Sequence, residues 1–387
     1  MSVYILSGAR TPSGSFLGSL SSVEAPKLGS AAIQGAISKA NIDGSKVDEV
    51  FMGNVITSGV GQAPARQAAL FAELPESVPC TTVNKVCGSG LKTIIMGAQS
   101  IKCEDNSVVV AGGMENMSLA PHLVMNSRTG VAKFGGAQMK DSMQWDGLWD
   151  VYSDRPMGNC AEECVSKYNF TREQQDEFSI ESFKRAQTAA KEGVFKDEIV
   201  PVTIKGRKGD TVVSEDEGPF KANFEKIPAL RPAFDKNGTI TAANASTIND
   251  GAAAVVLGGE EYKDQANFKI LSWASHAQNP TWFTTAPVEA MKKSLDKAGL
   301  KIEDIDLFEI NEAFAVVTMA AMEEFKISRD KVNVFGGGVS LGHPIGCSGT
   351  RIVVTLMNAM EKKNSKYGMA AICIGGGEAL SLIIEKI

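Results

Sequence analysis

The sequence predicts an α/β protein made of two similar halves, with a long loop domain inserted into the first. Three observations lead there. Segments of the first half recur in the second, in the same order and at similar intervals. Each half reads strand, helix, strand, helix, strand, the alternation of an α/β unit around a largely parallel sheet. The closing strand of the second half turns back at once, whereas its counterpart in the first half finds a return partner only after a long intervening segment.

The elements follow in chain order. YILSGARTP (4–12) opens the first half as a strand and resembles KILSWASHAQNP (269–280), which opens the second. A helical stretch ending in SKANIDGSKVDEVFMGN (38–54) has its match in LDKAGLKIEDIDLFEIN (295–311). VNKVCGSGLKTIIMGAQSI (83–101) is matched by VNVFGGG and GCSGTRIVVTLMNAM (332–338 and 346–360). Its strand meets a helix on which Leu91, Ile94, Ile95, Ala98 and Ile101 recur at the spacing of one buried face. VVVAGGMENMS (108–118) corresponds to AAICIGGGEALS (370–381). In the second half AAICIG turns through GGEA and returns as LSLIIEKI; in the first, the return partner is GAAAVVLGG (251–259). Residues 119–250 are therefore an insertion, holding a charged helical stretch (171–193), a basic hairpin-like IKGRKGDTV and several aromatic residues. Insertions on strand tips are where α/β folds place ligand-gripping loops. The expected division is 1–118 plus 251–268 for the first half, 119–250 for the loop domain and 269–387 for the second half.

Composition narrows the function. The 387 residues are 43% hydrophobic and 22% charged, ordinary for a globular chain, with a net charge of −6. A whole-chain polyanion binder would need an excess of Lys and Arg, so nucleic acid is not an expected partner. No apolar run reaches bilayer-spanning length, and no membrane partner is expected. The start, MSVYILSGARTPSGSF, reads as a strand and not as an Arg-rich presequence, and SLIIEKI carries no peroxisomal or retention tripeptide. Seven cysteines are scattered without disulfide or zinc spacing, which fits a reducing cytoplasmic compartment.

Four residues carry candidate chemistry. Cys87, in NKVCGSG, sits where a strand meets a helix N-terminus, whose unpaired amides and dipole favour thiolate over thiol. Gly88 and Gly90 remove side-chain bulk, so a backbone or a thioester can approach closely. The competing reading is a buried structural cysteine, the fate of most free cysteines. His343, one of three histidines, is bracketed by a glycine and a proline, a setting that keeps the ring near the surface of a turn and suits a general base. Because Gly346 is the repeat counterpart of Cys87, His343 approaches Cys87 across the pseudo-twofold, as a base to its nucleophile. Cys373, beside the glycine run of CIGGGEA, points at the same centre, with free backbone amides able to form an oxyanion hole. Asn311, in INEAFA, is either a site residue or an ordinary N-cap with Glu312 in the first turn; its counterpart is Asn54. Other signals fail. GSGLKT lacks the adjacent Gly-Lys of a phosphate loop, the glycine runs lack the dinucleotide fingerprint, and no zinc site is present. Cys160 and Cys164, one turn apart, read as core.

These residues together resemble the thiolases, and within them the short-chain acetyl-CoA C-acetyltransferases. NKVCGSG, INEAFA and GGGVSLGHPIGCSGTR followed by CIGGG carry the likeness, with SGARTPSGSFLGSL and TITAANASTINDGAAAV in support, over essentially the whole chain. The resemblance implies the thiolase fold, layered α-β-α-β-α with an inserted loop domain. It implies Cys87 as the nucleophile that takes the acetyl group and His343 as its activator, holding the thioester oxygen together with a water on Asn311. Cys373 would be the acid/base at the α-carbon, and the amides of Cys87 and Gly375 a second oxyanion hole. No tightly bound cofactor is implied, coenzyme A being a substrate. Leu148 and Met157 would lie along its pantetheine, Ser246 on a pantetheine amide and Phe314 near the acyl end. A basic patch drawn from Lys205, Arg207, Lys208 and Lys221 would meet its phosphates. The family forms dimers or tetramers, with 119–145 as the tetramer loop. A potassium-sensitive subgroup holds its ion through carbonyls matching Ala242, Ala243, Ala245 and Val339 plus a tyrosine, where this chain has Phe220.

Three further departures stand out: Pro156 where many members have histidine, Ile374 where asparagine is common, and Glu378 where glycine is common. Glu378 would strain the turn or charge its rim. The rival readings are a degradative thiolase for longer chains and a non-catalytic acyl-CoA-binding protein on the same frame; the second would have lost one of the four chemical residues, and all four are present.

Overall fold

The computed structural model describes residues 2–130, 134 and 136–387. Its frame is one mixed sheet. The first half contributes β1 (Val3–Arg10), β2 (Glu49–Gly53), β3 (Cys80–Val83), β4 (Val108–Asn116) and β5 (Asn249–Gly258). The second contributes β6 (Phe268–Ala277), β7 (Leu307–Ile310), β8 (Tyr367–Ile374) and β9 (Glu378–Lys386). The strand order is β7-β8-β9-β6-β1-β5-β4-β2-β3, and the halves join where Val3–Ile5 of β1 pairs antiparallel with Phe268–Ile270 of β6.

The expectation of a largely parallel sheet is corrected. Only β2–β3, β2–β4 and β7–β8 are parallel; β1–β5, β4–β5, β6–β9 and β8–β9 are antiparallel. The reason is local. A strand that returns through a tight turn beside the strand it follows must run the other way, whereas a helical crossover brings β3 back parallel to β2 and β8 back parallel to β7. In the second half Gly376 and Gly377, at φ of 92° and 84°, make that reversal between β8 and β9. In the first half the chain leaves β4, builds residues 117–248 and comes back as β5 on the same edge. Both central strands, VVVAGGMEN and NDGAAAVVLG, are buried along their full length, which is why they read as continuous small-apolar runs and not as alternating patterns.

Five layers result. Helices α3 (Ser89–Lys102) and α8 (Ile345–Lys363) pack on each other and on the inner faces of both half-sheets. The face predicted on α3 is buried as expected: Leu91, Ile94, Ile95, Ala98 and Ile101 share one core with Ile352, Val353, Leu356 and Met360. Each such Leu or Ile contributes about 1.5–3 kcal/mol by leaving water. Helices α1 (Ala25–Ala40) and α2 (Pro64–Phe71) cover the outer face of the first half; α6 (Ala286–Ala298) and α7 (Ala315–Phe325) cover that of the second.

Residues 117–248 carry α4 (Met157–Tyr168), α5 (Arg172–Lys191) and short two-stranded ribbons. Helix α5 lies within the helical stretch expected at 171–193 and opens on a capping box: Thr171 Oγ1 accepts from Gln174 N at 3.2 Å, and Gln174 Oε1 accepts from Thr171 N at 2.9 Å. Arg10 fastens this segment to β1, donating to Glu198 at 2.6 Å and to both oxygens of Asp216 at 2.7 and 2.8 Å in a fully buried cluster. Of the 119–145 stretch, residues 131–133 and 135 lie outside the described residues.

Candidate active site

The ends of α3, α8 and β8 converge on a cavity of about 250 Å³. Cys87, His343, Cys373 and Gly375 all line it, and so do Leu148, Met157, Ser246 and Phe314.

Cys87 stands in the turn before α3. Val86, just ahead of it, has φ of 45°, a costly conformation for a β-branched residue. Such strain costs on the order of 1–3 kcal/mol and persists only where neighbours over-determine it. Here Asn84 Oδ1 accepts from Val86 N at 3.0 Å, while Ser89 Oγ accepts from Lys85 N at 2.8 Å and donates to Val86 O at 2.7 Å. Gly90 is required for contact between the halves: a Cβ there would lie 2.7 Å from the Thr350 backbone nitrogen. The thiolate expectation for Cys87 is corrected. Burial pushes its thiol up to about 11, and the N–H groups of Gly375 and of Cys87 itself, which face the sulfur, pull back only part of that. At neutral pH the group is a thiol and needs a base.

His343 is that base by geometry, although not at the surface of a turn as expected. It is 5% exposed, because its N–H reaches Thr247 O at 3.3 Å and Asn249 Oδ1 at 3.2 Å, which draws the GHP segment into the interior. The hydrogen bonds fix its tautomer. Ser348 Oγ donates to Pro344 O at 2.9 Å, so it must accept from His343 Nδ1–H at 2.5 Å. The Nε2 lone pair is then free, and Nε2 has no partner among the described residues. Burial, with the Arg351 charge second, lowers the ring to about 3, so it stays neutral and accepting. Ser348 escaped sequence reasoning; the one available signal is a hydroxyl five residues after the histidine, at the start of a helix.

Cys373 ends β8 and is fully buried. Its thiol is raised well above the usual range, first by burial and then by the neighbouring Cys87. Asn311 follows β7 and does not line the cavity. The N-cap reading is excluded, since α7 begins at Ala315 with Phe314 in the cap position. Its side chain is 0% exposed, and neither Oδ1 nor Nδ2 has a partner among the described residues. A buried amide in that state calls for water or ligand groups. Glu312 is an anchor and not a first-turn acid: it accepts from Ser182 Oγ at 2.8 Å, Asn333 Nδ2 at 2.8 Å and Val339 N at 3.1 Å.

The cavity wall is more aromatic than the sequence suggested. Phe314 meets Phe234 and Phe283 edge-on, at centroid distances of 6.0 and 6.2 Å. An Ala245–Phe314 bridge and the Ser246 N to Ala313 O bond at 2.9 Å hold this wall against the second half. Phe234 and Phe283 were missed because they are apolar residues in segments without a motif, and Met117 and Ile345 because an apolar side chain inside a matched segment reads as core. The basic residues are not brought to the cavity. Lys205, Arg207, Lys208 and Lys221 are exposed and none lines it. Arg207 belongs to the loop of a ribbon whose Val202 and Val213 pack in the outer core of the first half. Cys160 and Cys164 are buried in the core beside Phe314, as read. Of the departures, Pro156 precedes α4, Ile374 fills the space that Gly88 leaves, and Glu378 opens β9 in an ion pair with Lys85.

The chain matches known proteins along nearly its whole length. Residues 3–261 match the thiolase N-terminal domain and residues 264–386 the thiolase C-terminal domain. It is 51% identical to acetyl-CoA acetyltransferase 2 of Arabidopsis thaliana over 100% of this chain and 97% of that one. It is 52% identical to the mitochondrial acetyl-CoA acetyltransferase of Bos taurus, over 100% of this chain and 92% of that one. The crystal structure of Acat5 thiolase from Ascaris suum in complex with coenzyme A superposes with a TM-score of 0.95, at 47% identity and with full coverage of both chains. With the two domains, the shared fold and half its residues in common with such relatives from end to end, the chain belongs to the thiolase family.

Proposed function

We propose that the chain is an acetyl-CoA C-acetyltransferase, joining two acetyl-CoA into acetoacetyl-CoA and free coenzyme A, reversibly, through an acetyl-Cys87 intermediate. The observation that carries the proposal is the meeting of a protonated Cys87 thiol, the free Nε2 of a neutral His343 and a buried Cys373 thiol at one apolar cavity.

In the cleavage direction the steps balance as follows. Cys87 gives its proton to His343 Nε2, and the thiolate adds to the ketone carbonyl of acetoacetyl-CoA. The N–H groups of Cys87 and Gly375, already facing the sulfur, are placed for the developing oxyanion. The carbon–carbon bond breaks, the departing α-carbon takes its proton from Cys373, and the first acetyl-CoA leaves. The raised Cys373 thiol suits this role, since it keeps its proton until a strong base forms beside it. Coenzyme A then enters, passes its thiol proton to Cys373 and attacks acetyl-Cys87; the Cys87 thiolate leaves and recovers its proton from His343. Asn311, buried with a free amide, holds the water that shares the thioester oxygen with His343. Leu148, Met157, Ser246 and Phe314 bind the pantetheine and acyl portions, and Lys221 and Arg207, both exposed, remain the proposed phosphate contacts.

The test is coenzyme-A-dependent loss of the acetoacetyl-CoA enolate absorbance beside Cys87→Ala and Cys373→Ala. Wild-type turnover with parallel-line kinetics, abolished by both substitutions, is the expected result. Coenzyme A binding without turnover in either direction sinks the proposal. Running 3-ketohexanoyl-CoA in the same assay checks the short-chain assignment.

A homodimer or homotetramer in the cytoplasm completes the reading, supported by seven free cysteines that suit a reducing compartment; sizing by light scattering and a fluorescent fusion check the two points. No helix among the described residues is long and apolar enough to cross a membrane. A potassium site at Ala242, Ala243, Ala245 and Val339 fits poorly, because Phe220 supplies no oxygen and Ala242 is open to solvent. No step runs through the ion, and equal rates in potassium and sodium buffers are expected.

A further inference from the structure

The two oxyanion donors come from different halves of the molecule. Cys87 N–H belongs to the turn 84–88 of the first half and Gly375 N–H to the turn 374–378 of the second, yet both face one sulfur. Apart from that convergence, a single polar contact among the described residues ties the turns together: Lys85 Nζ donates to Glu378 Oε2 at 2.5 Å. Lys85 stands two residues before Cys87, and Glu378 three after Gly375. Beside it lies an apolar contact, Ile374 against Gly88. Val86, between Lys85 and Cys87, is the strained residue at φ of 45°. The turn that carries the nucleophile therefore has a conformation to relax into, and the turn that carries the second donor has two glycines at positive φ.

We propose that the Lys85–Glu378 ion pair is a positioning clamp that sets the spacing between the Cys87 and Gly375 amides. It rests on the function proposed above and adds to it two positioning residues and a salt dependence. Both side chains are partly exposed, at 24% and 35%, so the pair adds little to global stability. Its effect falls on geometry instead. An oxyanion donor is worth 10²–10³-fold in rate when correctly placed, and small misplacements forfeit a fraction of that. Partial exposure also leaves the pair open to screening, with a Debye length of about 10 Å at 0.1 M salt.

The test uses the full-length protein with Lys85→Met, Glu378→Gln and the exchanged double variant Lys85→Glu/Glu378→Lys. Each single variant is expected to melt within a few degrees of wild type and to lose about tenfold in kcat with KM nearly unchanged. The double variant is expected to regain most of the loss, and raising salt to 1 M is expected to lower kcat of the wild type but not of the single variants. A second readout does not depend on turnover: alkylation of Cys87 by iodoacetamide, followed by mass spectrometry of its peptide, should slow in the single variants as the Gly375 N–H moves off the sulfur. Unchanged kcat and alkylation rate in the single variants overturn the clamp, as does a loss that the exchanged pair fails to recover. A wild-type protein that alkylates at Cys87 but never turns over refutes the function, not the clamp, because the alkylation comparison still stands.

Discussion

Asn54 and Asn311 stand at the same place in the two halves, one residue beyond β2 and β7, and the register carries the correspondence to their neighbours. Gly53 pairs with Gly113 and Ile310 with Ala371, so Glu115 on β4 occupies the position that Cys373 holds on β8. Gly346 is likewise the twin of Cys87. In the first half this trio is closed around the carboxylate, with Asn54 Oδ1 the one side-chain atom of it that has no partner among the described residues. Glu115 accepts from Asn54 Nδ2 at 2.8 Å, Val55 N at 3.0 Å, Ile56 N at 3.1 Å and Gly346 N at 2.9 Å. In the second half the trio is open. Asn311 has a free amide, Cys373 and Cys87 face a cavity, and His343 Nε2 lacks a partner among the described residues. The same frame has been used twice, once as a buried joint and once as a site. What separates them is polar satisfaction: a carboxylate that takes four donors leaves nothing for a substrate to bind, whereas unpaired groups around a cavity are costly unless something else completes them.

The largest effect should come from exchanging the consequences of the twin positions. Cys87→Ala is expected to lower kcat by on the order of 10⁴-fold or more, with a melting temperature near wild type. At the twin, Gly346→Ala should do the reverse. A Cβ there would lie 2.6 Å from Glu115 Oε2 and 2.7 Å from Met114 O, contacts that only a backbone shift can relieve. Overpacking of this kind costs about 1–3 kcal/mol, and the loss should appear in denaturant unfolding while residual turnover per folded molecule stays within a few-fold. Equal activity losses at the two positions would mean that the closed joint is part of the machinery and the contrast is false.

A smaller effect separates the two serines that begin α3 and α8. Ser89 and Ser348 are twins, and both donate to a carbonyl of the preceding turn. Ser89 also accepts from the Lys85 backbone, but Ser348 accepts from an imidazole. Ser348→Ala releases Nδ1–H and the tautomer with it, so kcat should fall roughly 10- to 100-fold, beyond the stability loss of about 1–3 kcal/mol that an unpaired buried donor brings. Ser89→Ala should instead cost about 1 kcal/mol, by loosening the turn that keeps Val86 at positive φ. Steady-state kinetics and urea midpoints on the pair check both halves of this statement.

Much of the architecture was legible because it rests on periodicity and repetition. The face of α3 and the charged stretch of α5 are local patterns, and the order of strands and helices in each half is written twice. The convergence of Cys87, His343 and Cys373 followed from the repeat, whereas Gly375 came only from the resemblance to the thiolases. What escaped depends on assembly. Sheet direction turns on which edge a returning strand joins, and β5 joins beside β4 only after the whole inserted segment. The depth of His343 is set by Thr247 and Asn249, some ninety residues away in sequence. The thiol state of Cys87 is a contest between burial and two N–H groups, and only the folded cavity decides it. Arg207 and Lys221 show the converse: a basic cluster is visible in any sequence, but its distance from a site is not.

The smallest effect concerns protons, and the open and closed constellations should titrate in opposite senses. His343 is lowered to about 3, below the ordinary histidine value near 6.5, so between those limits the unfolded chain binds a proton that the folded one refuses. The stability this group supports is present above about pH 6.5 and is lost as pH falls, by about 1 kcal/mol between pH 6.5 and 5.5. Glu115 is raised to about 7 by burial, which outweighs its four donors, so below that value the folded protein keeps a proton that the unfolded chain releases near 4.5. Its contribution is present at low pH and is lost as pH rises toward 7. In the wild type the two slopes oppose each other across pH 5–7. Each substitution should remove its own slope: relative to wild type, the stability of His343→Asn should fall more steeply with rising pH and that of Glu115→Gln less steeply, while Glu309, raised to about 8, keeps its own decline in both. Urea midpoints at four pH values would read both slopes. Parallel curves for the two variants would show that the open and closed constellations do not differ electrostatically in the way their hydrogen bonds indicate.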